Sequence, residues 1–136
     1  MYNRRDFFKT TTAAAASVLV AGSPIPAFAT DAALFTNIVY TKENPGKWGT
    51  KVGSHAPQVS VSGATVVVTT KHSMSNAHFI VRHTLVLGDG TYLGGTTFSP
   101  TDKPESSYEL PAGYKGKIFA TSFCNKHDFW LTETIV

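Results

Sequence analysis

His55, His72, His78, His83, His127 and Cys124 are the residues of this chain whose types and spacing could do chemistry. Cys124 is the single cysteine, so an internal disulfide is excluded and the thiol is either buried and inert or bound to something. Its neighbours favour the second reading. Cys124-Asn125-Lys126-His127 follows a β-prone run ending in Phe123, which sets a thiol and an imidazole on either side of a tight loop, able to converge on one ion. His72 and His78 bracket another short polar loop, Ser73-Met74-Ser75-Asn76-Ala77, and His55 sits beside Pro57, which stiffens its loop. Loops at the end of a rigid scaffold are where such ligands gather.

Imidazoles with one thiolate suit a transition metal. A structural zinc site closes with four ligands, whereas five donors are available here. Blue copper takes two histidines, a cysteine and a weak axial methionine, and no methionine follows Cys124 in its loop. Iron with an open position fits the set best. His83 stands apart: five residues after His78, it falls on the opposite face of a regular strand and reads as a structural or surface histidine.

The elements that must position these residues are β-strands. Runs rich in Val, Ile, Thr, Phe and Tyr occupy 58–62, 64–70, 79–87, 91–98, 106–110, 117–123 and 129–136, with Gly, Pro and Ser clusters between them. Helical periodicity and internal repeats are absent. The pattern predicts an all-β fold, an antiparallel β-sandwich of about seven strands. Leu87-Gly88-Asp89-Gly90-Thr91 predicts a hairpin with a tight primed turn. Residues 41–57, with three glycines and two prolines, predict an ordered loop.

A length of 136 residues allows one ordinary domain, and 42% hydrophobic against 15% charged residues supplies a packed core and argues against disorder. The formal charge of +3 is concentrated at the start: without Arg4, Arg5, Lys9 and Asp6, nine positive and eight negative side chains remain. Such a near-neutral body with no basic stripe predicts no nucleic-acid partner.

Residues 1–29 resemble a twin-arginine export signal. Asn3-Arg4-Arg5-Asp6-Phe7-Phe8-Lys9 is followed by an uncharged stretch over 10–20 and by Ala27-Phe28-Ala29, small residues suited to a signal peptidase. Cleavage after Ala29 would leave 30–136 as the functional domain, exported to the periplasm or another extracytoplasmic space; the alternative is an uncleaved membrane anchor. The twin-arginine route carries proteins that fold and load cofactors first. Ferrous iron is low in the divalent affinity order, so loading it inside avoids competition from copper and zinc.

Ser54-His55-Ala56-Pro57, then Lys71-His72-Ser73-Met74 through Ala77-His78, then Ser122-Phe123-Cys124-Asn125-Lys126-His127 with Trp130 behind, resemble the superoxide reductases. More narrowly, residues 48–136 are similar to the one-iron neelaredoxin type and to the iron-binding domain of desulfoferrodoxin. The resemblance implies an immunoglobulin-like sandwich with one iron per chain, cycling between Fe(2+) and Fe(3+). It assigns His55, His72, His78 and His127 as equatorial ligands and Cys124 as the axial thiolate, which pushes electron density towards bound oxygen species as the haem thiolate of P450 does. Superoxide is reduced to hydrogen peroxide at the open position, without disproportionation. No further cysteines are present for the extra four-cysteine centre of desulfoferrodoxin, so electrons come from an external donor, rubredoxin-like or cytochrome-like.

Two positions depart from the family pattern. The usual Glu-Lys before the first histidine is Gly53-Ser54, and the glycine after the Cys-Asn-x-His loop is Asp128. Lys51 is the candidate to supply the missing positive charge to the reaction, since Gly53 lets the loop turn back. With Lys47, Lys71 and Lys126 it would form a basic collar that steers an anion. Two rival readings are an exported electron-transfer or metal-binding module carrying copper or iron without catalysis, and a domain merely stapled by a metal. Sheet edges of this kind often pair between subunits, so a homo-oligomer is a further expectation.

Overall fold

Alternation of inward and outward residues along β-prone runs, clearest over 65–69, 105–109 and 117–124, dictates paired sheets. The computed structural model, which describes residues 37–136, builds them from eight strands. These are β1 (Val39–Tyr40), β2 (Gln58–Ser62), β3 (Thr65–Thr69), β4 (Ile80–Leu87), β5 (Tyr92–Thr97), β6 (Glu105–Glu109), β7 (Lys117–Cys124) and β8 (Asp128–Ile135). One sheet has the order β1-β8-β7-β4-β5 and the other β2-β3-β6. The all-β sandwich expected from the sequence is therefore present. Its pairs are antiparallel except at the edge, where the two-residue β1 adds an eighth strand parallel to β8, with Val39 opposite Phe129 and Tyr40 opposite Trp130.

Val66 and Val68 of β3, Leu85 and Leu87 of β4, Tyr108 of β6, and Ile118 and Ala120 of β7 fill the space between the sheets with Leu110. Each large apolar side chain buried there contributes about 1.5–3 kcal/mol. The same parity carries Ser122 and then Cys124 inward along β7, so the last inward residue of that strand is the thiol. Ile80 and Phe98 enclose it.

A bulge in β4 between Ile80 and Arg82 inserts Val81 without a partner, which is why Ile80 and His83 both face inward although three residues apart. On its other edge Val81 continues the β4–β5 register, its carbonyl accepting the Phe98 N–H at 2.9 Å. The parity argument from His78 to His83 thus assumed a regularity that the strand lacks, yet His83 is structural: it is fully buried in the sandwich.

Two turns correct the sequence reading. The 87–91 hairpin is not a primed two-residue turn; Leu87 N–H bonds to the Thr91 carbonyl, Gly90 N–H returns to Leu87, and among these residues only Gly90 has positive φ (+90°). That is a three-residue loop closed by one left-handed glycine. Residues 41–57 contain regular structure, a 3-10 segment over Gly46–Lys51 running into the single α-turn α1 (Val52–His55). No helix among the described residues is long and apolar enough to cross a membrane. The leader expected over 1–29 lies outside the described residues.

Candidate metal centre

Four segments reach the end of the sandwich where β3 and β7 stop and β4 and β8 begin. His55 is the last residue of α1, whose turn closes through Ala56 N–H to the Val52 carbonyl. His72 lies just past β3. His78 ends a reverse turn in which its backbone exchanges both hydrogen bonds with Ser75. Cys124 and His127 flank the β7–β8 loop. That loop closes at Asp128 with φ +63°, a left-handed conformation in which aspartate is one of the few tolerated residues besides glycine. Asn125 straps two of these segments together, accepting the Phe79 N–H at 3.0 Å and donating to the Ala77 carbonyl at 3.2 Å.

The imidazoles meet nitrogen to nitrogen. Nε2 of His72 lies 3.1 Å from Nε2 of His78, which lies 3.0 Å from Nδ1 of His127, which lies 2.8 Å from Nε2 of His55. Successive rings stand nearly perpendicular, at 71–89°, while His55 and His78, opposite each other in this cycle, are inclined by only 27°. Cys124 Sγ approaches from the core side, 3.6 Å from His127 Nδ1 and 4.0 Å from His72 Nε2.

An imidazole nitrogen offers one proton or one lone pair, so hydrogen bonds account for at most two of these three consecutive short contacts. Four lone pairs aimed at a common point can be satisfied by a cation. The inward nitrogens of His55, His72 and His78 and the Cys124 sulfur all lie within 4.8 Å of one another, close enough to share one ion, and His127 Nδ1 lies 2.8 Å from His55, 3.0 Å from His78 and 3.6 Å from the sulfur. The donor set therefore fits a transition metal held by His55, His72, His78 and His127, with Cys124 as the sulfur donor. A family model, that of desulfoferrodoxin, matches residues 49–133 and so spans all five donors.

The chain belongs to the desulfoferrodoxin family.

Solved structures agree on the fold of this desulfoferrodoxin-family chain. A variant of the neelaredoxin-type superoxide reductase of Ignicoccus hospitalis is 24% identical, with a TM-score of 0.67 over 75% of this chain and 95% of that one. The one-iron superoxide reductase of Giardia intestinalis is 22% identical (TM-score 0.54, 61% and 98% covered). A superoxide reductase (neelaredoxin) variant of Archaeoglobus fulgidus in the reduced form is 23% identical (0.54, 64% and 91%). No curated protein matches the sequence significantly.

Burial lowers the basicity of every histidine in this desulfoferrodoxin-type cluster. His55 is pushed down to about 4, by desolvation first and then by repulsion from His72 and His127. His72 is lowered by burial, then His78 and His127; His127 by burial, then His78. His78 is lowered by burial, then by the charges of Lys126 and Lys51. The outcome is neutral imidazole at neutral pH, the form that offers a lone pair.

Of the expected lysine collar, Lys51 bears on His72, His78 and His127, and Lys126 on His78 and His127. Lys47 is engaged elsewhere, 3.8 Å from Asp128 Oδ2, and none of the histidine shifts traces to Lys71. Lys51 also acts through its backbone. Its carbonyl lies 3.2 Å from His55 Nδ1, and the Ser54 hydroxyl, 2.8 Å from the same nitrogen, donates to that carbonyl. These contacts leave His55 Nε2 to face the centre, the outer-shell role that metal-binding histidines need filled. His72 Nδ1 is buried and lacks a well-formed partner.

His83 belongs to another cluster. Thr70 Oγ1 lies 2.8 Å from its Nε2 and Ser106 Oγ 2.9 Å from its Nδ1, while Thr70 donates to Ser122.

Four residues around the centre escaped the sequence reading in these roles: Asn125, Trp48, Asp128 and Trp130. Trp130, fully buried, donates its indole N–H to the His127 carbonyl at 3.0 Å. Trp48 sets its ring perpendicular to that of His127 (centroids 4.6 Å apart, 80°) and donates to Asp128 Oδ2 at 3.3 Å. Only the Cys-Asn-x-His-x-x-Trp spacing hinted at any of these contacts.

Proposed function

We propose that this chain is a one-iron superoxide reductase that turns superoxide into hydrogen peroxide. The observation that carries the reading is the cycle of four imidazole nitrogens with a single buried thiol on its core side, in a member of this family. Bound there as the ferrous ion, iron would supply one electron to superoxide, which with two protons leaves as hydrogen peroxide. His55, His72, His78 and His127 hold the ion by neutral nitrogens, and Cys124 contributes thiolate density from the dry side. Lys51 and Lys126, whose charges already bear on the histidines, draw the anion to the exposed side. No carboxylate stands at position 53, where a Cβ would meet nothing within 4 Å, so small anions such as azide reach the oxidised centre readily.

With one cysteine in the sequence, reducing equivalents come from a separate one-electron donor, rubredoxin-like or cytochrome-like. Export by the twin-arginine route remains part of the proposal. Replacing Arg4 and Arg5 by lysine should leave the precursor uncleaved in the cell, and normal processing of that variant would refute the route.

The test of function is metal analysis with a visible spectrum and superoxide turnover on the purified chain. The expected result is one iron per chain, a red-absorbing oxidised form, and hydrogen peroxide formed without dioxygen. Cys124→Ser should keep the fold and much of the iron but lose the red band and the turnover. Copper in the site, or wild-type turnover by Cys124→Ser, would overturn the assignment in favour of an electron-transfer module.

A further inference from the structure

His127, like His72 and His78, has no well-formed hydrogen bond on its outer nitrogen. His55 has the Lys51 carbonyl and the Ser54 hydroxyl against its outer nitrogen, whereas no hydrogen bond among the described residues holds Nε2 of His127. The orientation of its ring must then come from packing, and beyond the neighbouring donors His55 and His78 the ring packed on it is that of Trp48. The Trp48 indole in turn is tied to the residue that follows His127: its Nε1 donates to Asp128 Oδ2 at 3.3 Å. Lys47 adds its ammonium 3.8 Å from the same oxygen and 4.8 Å from the centre of the Trp48 ring.

These contacts join segments 80 positions apart in sequence. One carries His55 at the end of the 46–55 stretch and the other carries Cys124 and His127. Backbone geometry alone does not call for aspartate at 128. With φ +63°, glycine would close the hairpin at least as well. What glycine lacks is an acceptor for the Trp48 indole.

We infer that Asp128 and Trp48 form a latch that positions His127 and closes the His55 segment onto the metal centre. The inference rests on reading the cluster as a metal centre. Asp128 serves two purposes at once: it occupies the left-handed corner, and its carboxylate fixes the indole against which the His127 ring leans. Without the latch, His127 Nδ1 swings more freely out of the cycle and the ion escapes sooner.

The experiment follows release of iron from the loaded full-length chain to an excess of a strong chelator. Asp128→Gly keeps the corner and removes the acceptor; Trp48→Phe keeps the ring contact and removes the donor. Each should release iron about three- to tenfold faster than wild type, the range expected for one lost hydrogen bond. Since both break the same bond, the double variant should be no faster than either single one. Asp128→Asn, which tolerates the left-handed corner and still offers an amide oxygen, should restore slow release. It should also restore the wild-type position of the oxidised form's thiolate band, shifted in Asp128→Gly. A loose surface loop would not reproduce that rescue. Lys47→Ala should change release by less than about twofold, as expected for an exposed ion pair.

Equal release by Asp128→Gly and wild type would overturn the latch while leaving the metal centre standing, and so would additive effects in the double variant or failure of Asp128→Asn to rescue. A wild-type chain that holds no iron would remove the centre and the latch together.

Discussion

Two histidine clusters lie within one small sandwich and behave in opposite ways. Around His83, every ring nitrogen has a hydroxyl against it, from Thr70 or Ser106, and Thr70 donates on to Ser122. At the sandwich end, the inward nitrogens of His55, His72, His78 and His127 have only one another and the Cys124 thiol. Burial does not separate the two, since His55 and His83 are both almost inaccessible and both pushed down to about 4. What separates them is whether the surrounding groups complete the proton bookkeeping. A closed set of donors and acceptors is a structural element; a convergent set of lone pairs is an ion site.

The largest effect is expected where that convergence is broken. His127→Ala, at a half-buried position, should leave the fold intact and weaken metal binding by more than the roughly 10- to 100-fold that loss of an outer-shell partner costs. Titration of the metal against a competing chelator measures it.

His83→Ala should do the reverse. It leaves the hydroxyls of Thr70 and Ser106 short of a partner in the core and should cost about 3–4 kcal/mol of stability. Metal stoichiometry should remain that of wild type. If His83→Ala lost the metal while staying folded, the separation of the two clusters would be wrong.

Acid sharpens the contrast. His83 titrates near 4 when folded and near its ordinary value of 6.5 when unfolded, because desolvation penalises its charged form. The unfolded chain therefore takes up a proton in that window which the folded chain refuses. This contribution to stability is complete above pH 6.5, falls as pH drops towards 4, and changes no further below; it amounts to at most about 3 kcal/mol. Denaturant unfolding of the metal-free chain at pH 7 and pH 4.5 reads it, and His83→Gln should lose measurably less stability than wild type over that interval.

The smallest effect belongs to Lys51→Ala. Capture of superoxide should slow severalfold at low ionic strength, and the difference should shrink with added salt. Identical rates and salt slopes would take the Lys51 side chain out of the mechanism.

Much of this arrangement was legible because period-two alternation and turn residues are local signals. The run predicted over 58–62 is β2 residue for residue, and the other six predicted runs differ from their strands by a residue or so at one or both ends. Of the candidate donors, His72, His78, Cys124 and His127 stood out because their segments are short loops between strong strands, whereas His55 ends a longer stretch with helical turns of its own. β1 was not, since two residues carry no periodicity and are held by tertiary pairing with Phe129 and Trp130. Nor was the partnership of Trp48 with Asp128, which sequence distance conceals. Asp128 read only as a departure from glycine; its φ of +63° shows that the corner is kept and a carboxylate added. The primed turn at 87–91 failed because Asp-Gly also suits the longer loop, in which only the glycine turns left-handed.

Phe98 gives the two clusters a common wall. Its amide is held by the Val81 carbonyl, its ring meets His83 edge-on at 4.8 Å, and its side chain packs with Ile80 and Cys124. No chain of side-chain hydrogen bonds among the described residues crosses that wall. It works as a hydrocarbon septum between two polar compartments. The hydroxyls around His83 are thereby set apart from the sulfur, and the charged groups that bear on the other histidines, Lys51 and Lys126, come from different segments.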